Sequence, residues 1–264
     1  MKLSWISRCF SCPAFLLLAL GFSATARCQT SPATGAAPDK PAMQTYVEEF
    51  FLSDAVRNED KGELQFTFST DSRQGLGSNV ALQVEYGVTR RLQFNLDLPY
   101  GFSASENSEV AAAWSTTGLG LQYQIIRSDS PFALSVGTAF GIPMKANANW
   151  SLEPTVLAAK TFKKFQVHAS LVAEVEQWKP SFQYNVASVC PVRRRWFPTL
   201  EFNGRRLEGK NAFYLTPGLY RHFDHRLEIG IGVPAGLGGV ASHVGLVGKI
   251  NWELGGDSED RPGR

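Results

Sequence analysis

The alternation of apolar and polar residues between Val80 and Tyr100 constrains the fold more than any other feature of the sequence. Every second side chain is apolar in two runs, residues 80–88 and 92–98, and only a few residues around Thr89 separate them. A period of two places the apolar side chains on one face of a strand, so this stretch predicts an antiparallel hairpin. Each run has about ten residues, which is the length that crosses a bilayer as a tilted strand.

The same pattern recurs along the chain from Gly62 to Leu254, and no helical periodicity interrupts it. No apolar run reaches the ~18 residues of a membrane-spanning helix. Repeated hairpins of similar strand length are typical of an up-and-down barrel, and lipid offers no hydrogen bonds to an open sheet edge. We therefore predict an all-β fold, a closed up-and-down antiparallel transmembrane β-barrel of about 12 strands. Closure requires the first strand, near Leu64, to pair with the last, near Ile250.

The connections between these strands alternate in length, which indicates that the short turns share one end of the barrel. They lie at Thr89-Arg90, 128–131, Lys163-Lys164, 193–195 and Asp224-His225, whereas a polar loop over 103–115 belongs to the other end. Aromatic residues concentrate at the strand ends, as they do where a barrel meets the two bilayer interfaces. Those near the short turns are Phe132, Phe162, Phe165, Trp196, Phe197, Tyr220, Phe223 and Trp252, and those near the other loops are Tyr100, Phe102, Trp114, Trp150, Trp178 and Phe213.

A soluble β-sandwich would show the same alternation, but its polar face would differ in composition. Soluble proteins cover their outer face with charged residues such as lysine and glutamate. Here the polar face carries amides, serine and glycine with few lysines, and only 19% of the whole chain is charged. Such a face fits a hydrated barrel lumen, and the apolar face would then contact lipid.

The first residues have the form of an export signal. Lys2 and Arg8 supply a positively charged start before an apolar core at 14–22, and Ala24-Thr25-Ala26 is a small-residue cleavage site, with cutting after Cys28 as the alternative. We predict a signal peptide over residues 1–28 that exports the chain to a Gram-negative outer membrane. A flexible leader over 29–61, the barrel over 62–254 and a polar tail over 255–264 would follow.

One part of the leader is apolar, because Val47, Phe50, Phe51 and Ala55 recur at roughly helical spacing. We expect one short amphipathic helix over residues 46–56. The segment would either steady the barrel as a periplasmic helix or strand, which is our main expectation, or plug the pore from within.

The cysteine pattern argues against a disulfide framework. Cys9, Cys12 and Cys28 would leave with the signal, so that Cys190 would remain as the single cysteine of the exported chain. A single thiol offers neither an internal disulfide nor a thiolate metal site. The 26 basic and 24 acidic residues form no basic patch, so we expect no nucleic-acid partner.

Few residues suggest catalysis or metal binding, and no hydrolase elbow, phosphate loop or zinc signature is present. The spacing of His222, Asp224 and His225 would allow a metal, but a solvated turn is the simpler explanation. His168 and Ser170 lie two residues apart on one strand without an identified acid. We therefore expect no enzyme, no cofactor and no metal.

Two stretches, VEYGVTRRLQFNLDLPY and LYRHFDHRLEIGIGVPAG, share a turn followed by an alternating strand that ends in an apolar residue and proline. In this form the chain resembles, from Gly62 to Trp252, the outer-membrane transporters called MetA-pathway-of-phenol-degradation proteins. The resemblance implies a bacterial outer-membrane barrel that passes small hydrophobic or aromatic compounds. The chain departs from usual outer-membrane proteins in lacking a terminal aromatic residue, and Trp252 would serve the outer-membrane assembly machinery instead.

The inward-facing polar side chains are the candidate functional site, and carboxylates among them outnumber lysine, which would disfavour anions. Inward Gly137, Gly141, Gly230 and Gly232 would leave local space. The predicted lumen-lining residues are Gln83, Glu85, Gln93, Asn95, Asp97, Gln122, Gln124, His168, Glu174, Gln183, Asn185, Glu201, Glu228 and Lys249.

The strand number leaves the state of the lumen open. A barrel of about eight strands is filled by side chains, whereas one of about sixteen encloses a channel. We expect a passive channel for small molecules, surrounded by membrane lipid. A filled barrel with a structural or enzymatic role is the alternative.

Overall fold

The computed structural model describes residues 46–255, apart from 48, 74–76, 105–109, 115, 128–130, 146–148, 193–194, 208, 224–225 and 240–243. The predicted signal peptide, most of the leader and nearly all of the polar tail lie outside these residues. None of the described residues forms a helix long and apolar enough to cross a membrane. The strands are β1 (Leu64–Arg73), β2 (Gly77–Gly87), β3 (Leu92–Ala104), β4 (Val110–Trp114), β5 (Thr116–Ile126), β6 (Phe132–Pro143), β7 (Ser151–Thr161), β8 (Gln166–Glu176), β9 (Lys179–Val189), β10 (Trp196–Leu207), β11 (Lys210–His222), β12 (Leu227–Gly232), β13 (Ala235–Gly239) and β14 (Gly245–Leu254).

These strands form one closed antiparallel ring. β1 completes the ring with β14 in a register that sets Phe68 against Ile250, and β10 pairs with both β9 and β11. β4 and β5 lie end to end along β3, and β12 and β13 lie end to end along β11. The fourteen segments therefore make twelve strands around the ring. The predicted closed β-barrel, sealed by its first and last strands, is confirmed.

The outer face of the barrel is apolar. Large apolar side chains such as Phe68, Leu121, Leu171 and Ile250 are exposed at every second position of their strands. In water this band would be an apolar patch far larger than soluble monomers expose, whereas lipid accommodates it. In a soluble sandwich the same residues would be packed inward, so their exposure supports the membrane barrel.

The inner face of the barrel is mainly polar. Its buried side chains alternate with the apolar outer ones, as in β1, where Gln65 and Thr67 point inward between Leu64, Phe66 and Phe68. Other buried polar side chains of the wall include Glu85, Gln93, Gln122, Gln124, Gln166, Thr199, Glu201, Thr216, Glu228 and Asn251. An interior of this composition differs from the hydrocarbon core of a soluble domain.

The two ends of the barrel differ less in loop length than the sequence indicated. We call the end where β1 begins and β14 ends the terminal end, and the opposite end the loop end. At the loop end, β8 and β9 are joined only by Gln177 and Trp178, whose φ angles of 47° and 65° give the hairpin its tight turn. The polar loop predicted over 103–115 is also shorter, because β3 extends to Ala104 and β4 begins at Val110.

Two of the aromatic residues assigned to the membrane interface lie inside the barrel. Phe197 and Tyr220 are buried, whereas Phe162, Phe165 and Trp252 are exposed on the outer face. Both buried rings occupy inward positions of their strands, where the polar alternation of β10 and β11 gives way to an aromatic residue. Their inward position provides the apolar surface on which the N-terminal segment packs.

The expectation that Cys190 is a lone thiol is wrong. Cys190 is disulfide-bonded, and its partner lies outside the described residues. The expectation depended on the removal of all three of the other cysteines with the signal.

Candidate functional site

Residues 46–61, which we call the plug, lie inside the barrel rather than beside it. Val47, Phe50 and Val56 are completely buried, and the described residues of the segment have bends and irregular backbone without a helix. The prediction of an amphipathic helix at the periplasmic side is therefore wrong, and the alternative of an internal plug describes the structure. Wall side chains bond to the plug's backbone, so it needs no helical hydrogen bonds.

An ion pair and a carboxylate clamp hold the first half of the plug. Lys249 on β14 donates to Glu49 over 2.9 Å and also to the carbonyl oxygen of Phe50. Glu201 on β10 accepts the backbone N–H groups of Phe51 and Leu52 over 2.8 and 3.0 Å. Both wall charges are buried, which strengthens these bonds and makes the loss of either partner costly.

Two phenylalanine rings of the plug fit against the wall. Phe51 stacks on Tyr220 with 4.5 Å between ring centroids, and Phe50 meets the edge of His168 at 4.6 Å. A Cβ atom at Gly218 would lie 2.2 Å from the Phe51 ring, and one at Gly232 would lie 3.0 Å from it. The local space that we expected beside Gly232 is thus occupied by the plug.

The second half of the plug follows the wall towards β1. Ser135 donates to the carbonyl oxygen of Val56 over 2.6 Å, and Gln93 accepts the N–H of Glu59 over 2.7 Å. Asn58 donates to the carbonyl oxygen of Arg91 over 2.8 Å. Gly87 is required where the chain enters β1, because a Cβ atom there would lie 2.0 Å from the carbonyl oxygen of Asp60.

Above the plug, towards the loop end, the lumen contains a polar cavity of about 230 Å³ that we call the vestibule. Leu52, Ser53 and Asp54 of the plug form part of its lining. No lysine or arginine is among the described residues that line it, whereas Asp54, Asp97 and Glu153 contribute carboxylates. The vestibule is therefore acidic. The other polar residues of its lining are Gln83, Asn95, Gln122, Thr138, Thr155, Ser170, Gln183 and Asn185.

The structure places the predicted lumen-lining residues at two levels. Gln83, Asn95, Asp97, Gln122, Gln183 and Asn185 line the vestibule. Glu174 lies beside it and accepts hydrogen bonds from Ser181 and Arg205, both over 2.9 Å. The remaining residues are buried at the level of the plug or nearer the terminal end, and they are Glu85, Gln93, Gln124, His168, Glu201, Glu228 and Lys249.

The histidines considered for catalysis or metal binding have structural partners. His168 bonds to Gln166 over 2.8 Å, whereas Ser170 accepts a hydrogen bond from Asn185 over 2.8 Å, so the two do not form a pair. His222 bonds to Glu228 over 2.5 Å and is largely shielded, which corrects the expectation of a solvated turn. Asp224 and His225 lie outside the described residues.

Several residues of the site do not appear among the predicted lumen residues. Glu153 alternates with outward Leu152 and Pro154 on β7, so the period of two could have identified it. Asp54, Glu49 and Phe51 belong to the plug, and the spacing of residues 46–56 left open whether this segment lies beside the barrel or inside it. Gly230 is filled by the ring of Tyr220, not left open, since a Cβ atom there would lie 2.3 Å from that ring.

The plug contains two buried carboxyl groups that make its seating depend on pH. Burial raises the pKa of Glu49 from its ordinary 4.5 to about 7, while Lys249 opposes this rise and Asp54 adds to it. Burial also raises the pKa of Glu59 well above 4.5. The charged groups that face Glu59 are Glu63, Glu85 and Glu253, which add to this rise, and Arg57, which opposes it.

We expect the plug to be held less firmly as the pH rises. A raised pKa means that the seated plug binds protons more tightly than a released one. Protonation therefore stabilises the seated plug fully below about pH 4.5, and this stabilisation is lost as the pH rises through 7. Conductance across a planar bilayer should therefore increase over this interval. Glu49→Gln, which cannot titrate, should flatten the increase, and a conductance that falls as the pH rises would contradict this assignment.

No family model and no curated protein matches the sequence. Similar solved structures include the KdgM porin, with a TM-score of 0.58, 8% identity, and coverage of 72% of this chain and 99% of that one. The COG4313 outer membrane channel from Pseudomonas putida F1 has a TM-score of 0.57 at 10% identity, with 74% and 96% covered. The NanC porin has a TM-score of 0.55 at 10% identity, with 72% and 100% covered. At this level of identity the likeness concerns the fold, which is that of porin-type barrels.

Proposed function

We propose that the protein is a passive outer-membrane channel for small solutes, closed at rest by its own plug. An apolar band would hold it in membrane lipid, and the outer-membrane assembly machinery would insert it after export. The observation that carries the proposal is the mainly polar inner face of the barrel wall, where side chains such as Gln65, Glu85 and Thr216 are buried. Such a wall suits water and solutes once the plug moves.

The vestibule favours cationic or neutral polar solutes over anions. Asp54, Asp97 and Glu153 give it three carboxylates, and the field of a narrow lumen concentrates ions of the opposite sign. The aromatic surface formed by Tyr220 and the glycines beneath Phe51 supports a solute that carries an aromatic ring. Aromatic solutes are also what the resemblance to the MetA-pathway proteins implies, whereas the polar lining argues against purely hydrophobic ones.

Reconstitution into planar bilayers tests this proposal. We expect reproducible conductance steps from the full chain, with brief openings because the plug is seated. A barrel whose fold is verified by circular dichroism but that stays silent at every pH and voltage would contradict a channel. Silence would instead favour the second candidate, a filled structural barrel, which the close fit of the plug supports.

Asp97→Lys should lower the preference of the channel for cations. The substitution replaces a carboxylate that lines the vestibule with an ammonium group, so the cation-to-anion permeability ratio should fall by about a factor of two or more. The reversal potential in a salt gradient measures this ratio. Asp97→Asn removes the charge without reversing it and should give an intermediate value. An unchanged reversal potential would refute the role of Asp97.

A further inference from the structure

A slot in the lumen wall holds the ring of Phe51, and we call it the aryl slot. Its floor is the backbone of β11 and β12 at Gly218 and Gly232, and one side is the stacked ring of Tyr220. Glu201 lies at its end, where it binds the N–H of the same phenylalanine. The slot therefore recognises a flat ring and a nitrogen donor at a fixed distance from each other.

The slot contains more hydrogen-bonding capacity than the plug uses. The hydroxyl oxygens of Thr199, Thr216 and Tyr220 are buried and have no hydrogen-bond partner among the described residues. Thr199 Oγ1 would lie only 2.8 Å from a Cβ atom at Gly218, beside the Phe51 ring. Buried hydroxyl groups usually have partners, and Thr216 lies directly opposite Glu201 in the β10–β11 register, so hydrogen-bonding capacity remains beside the carboxylate.

From these contacts we propose that the aryl slot is the solute-binding site of the channel, that its ligands are small arylalkyl amines, and that Phe51 occupies it as a built-in mimic. This inference depends on the proposed channel function for its biological role. The 2-phenylethylammonium ion has the same sequence of atoms as Phe51 from its nitrogen to its ring. Its ammonium group has three N–H donors, enough for both Glu201 oxygens that Phe51 and Leu52 now occupy.

Charge agrees with a cationic ligand along the whole approach. A solute from the loop end first meets Asp54, Asp97 and Glu153 in the vestibule, and Glu201 then lies deeper in the lumen. Arg205 and Lys249 are the cations described near this path, and Glu174 and Glu49 respectively bind them, each over 2.9 Å. An aromatic anion such as phenylacetate would lose these attractions and meet the Glu201 carboxylate with like charge.

Phe51→Pro provides a sharp test because it removes both features that the ligand would replace. Proline has no phenyl ring and no N–H, so the slot and one Glu201 oxygen become free. Among the described residues of the plug there is no helix or strand ladder that proline would break. Phe51→Ala is the matched control, since it empties the slot but keeps the N–H that competes for Glu201.

The measurement is calorimetric titration of the full-length proteins in detergent with 2-phenylethylamine at neutral pH. We expect Phe51→Pro to bind it at least about tenfold more tightly than the wild type, with Phe51→Ala between them. Adding Glu201→Gln to Phe51→Pro should weaken binding by about tenfold or more. Ethylamine, which lacks the ring, and phenylacetate, which reverses the charge, should show no saturable binding.

Equal affinity of Phe51→Pro and the wild type, insensitivity to Glu201→Gln, or equal binding of phenylacetate would overturn the aryl slot. If Phe51→Pro does not fold by circular dichroism, the comparison of Phe51→Ala with the wild type decides. Conductance of the same proteins separates the two proposals. Conduction without 2-phenylethylamine binding contradicts the slot alone, whereas binding without conduction supports the slot and contradicts the channel.

Discussion

Replacing Gly218 with valine should open the barrel. The new Cβ atom would lie 2.2 Å from Cε2 of Phe51 and 2.8 Å from Thr199 Oγ1, so the ring cannot stay in its slot. Loss of a buried phenylalanine costs about 3 kcal/mol, which corresponds to roughly a hundredfold shift from the closed towards the open state. Planar-bilayer recordings should then show openings that occupy most of the trace instead of brief events.

Gly248→Ala is the control, because it replaces a strand glycine that does not contact Phe51. Gly248 lies on β14, where a Cβ atom would be 3.1 Å from the Thr70 methyl group and far from Phe51. This variant should keep the conductance of the wild type. If Gly218→Val also behaves as the wild type, the contact between Phe51 and the wall does not hold the plug.

Lys249→Met should release the plug by a different route. The change leaves the Glu49 carboxylate and the Phe50 carbonyl oxygen buried without their donor, and breaking one half of a buried pair costs about 3–5 kcal/mol. We expect a large increase in the open fraction at neutral pH. Because Glu49 takes up a proton in acid, the increase should be smaller at low pH.

A double-mutant cycle checks the cause of this effect. Glu49→Gln combined with Lys249→Met removes both charges, so the plug should close more readily than in Lys249→Met alone. The open fractions of the four proteins give the coupling energy of the pair. A double variant as open as the single one would mean that Lys249 acts through Phe50 or Glu201 and not through Glu49.

The barrel could be predicted from the sequence because strand alternation is a local signal. In β1 and β2 each inward residue is followed by an outward one, and the pairing of β1 with β14 follows because lipid does not tolerate an open sheet edge. The same rule places Gln83, Asn95 and Asp97 on the polar face of one hairpin. Gln177 and Trp178 form a tight turn without the asparagine and glycine that usually mark one, so the sequence did not indicate that this connection is short.

An internal plug was only the alternative expectation from the sequence, and its conformation could not be predicted because distant parts of the chain determine it. Glu49 and Lys249 are separated by 200 positions, and Phe51 and Glu201 by 150. Spacing alone suggested a helix over 46–56, but bonds from Glu201 and Ser135 to the plug backbone replaced the helical ones. Phe197 and Tyr220 were assigned to the membrane interface because the sequence did not reveal that the plug packs against them inside the barrel.

The plug is continuous with β1 through Gly62, whose N–H binds Gly87 at the terminal end of the barrel. A closing element attached to its own pore remains at an effective concentration of about a millimolar or more, whatever the amount of protein in the membrane. Opening and closing are then unimolecular steps, because the released plug stays attached to β1 and returns without a bimolecular encounter. The lifetime of the open state should accordingly lengthen if extra residues are inserted before β1, because a longer linker lowers the rate at which the plug rebinds in the lumen.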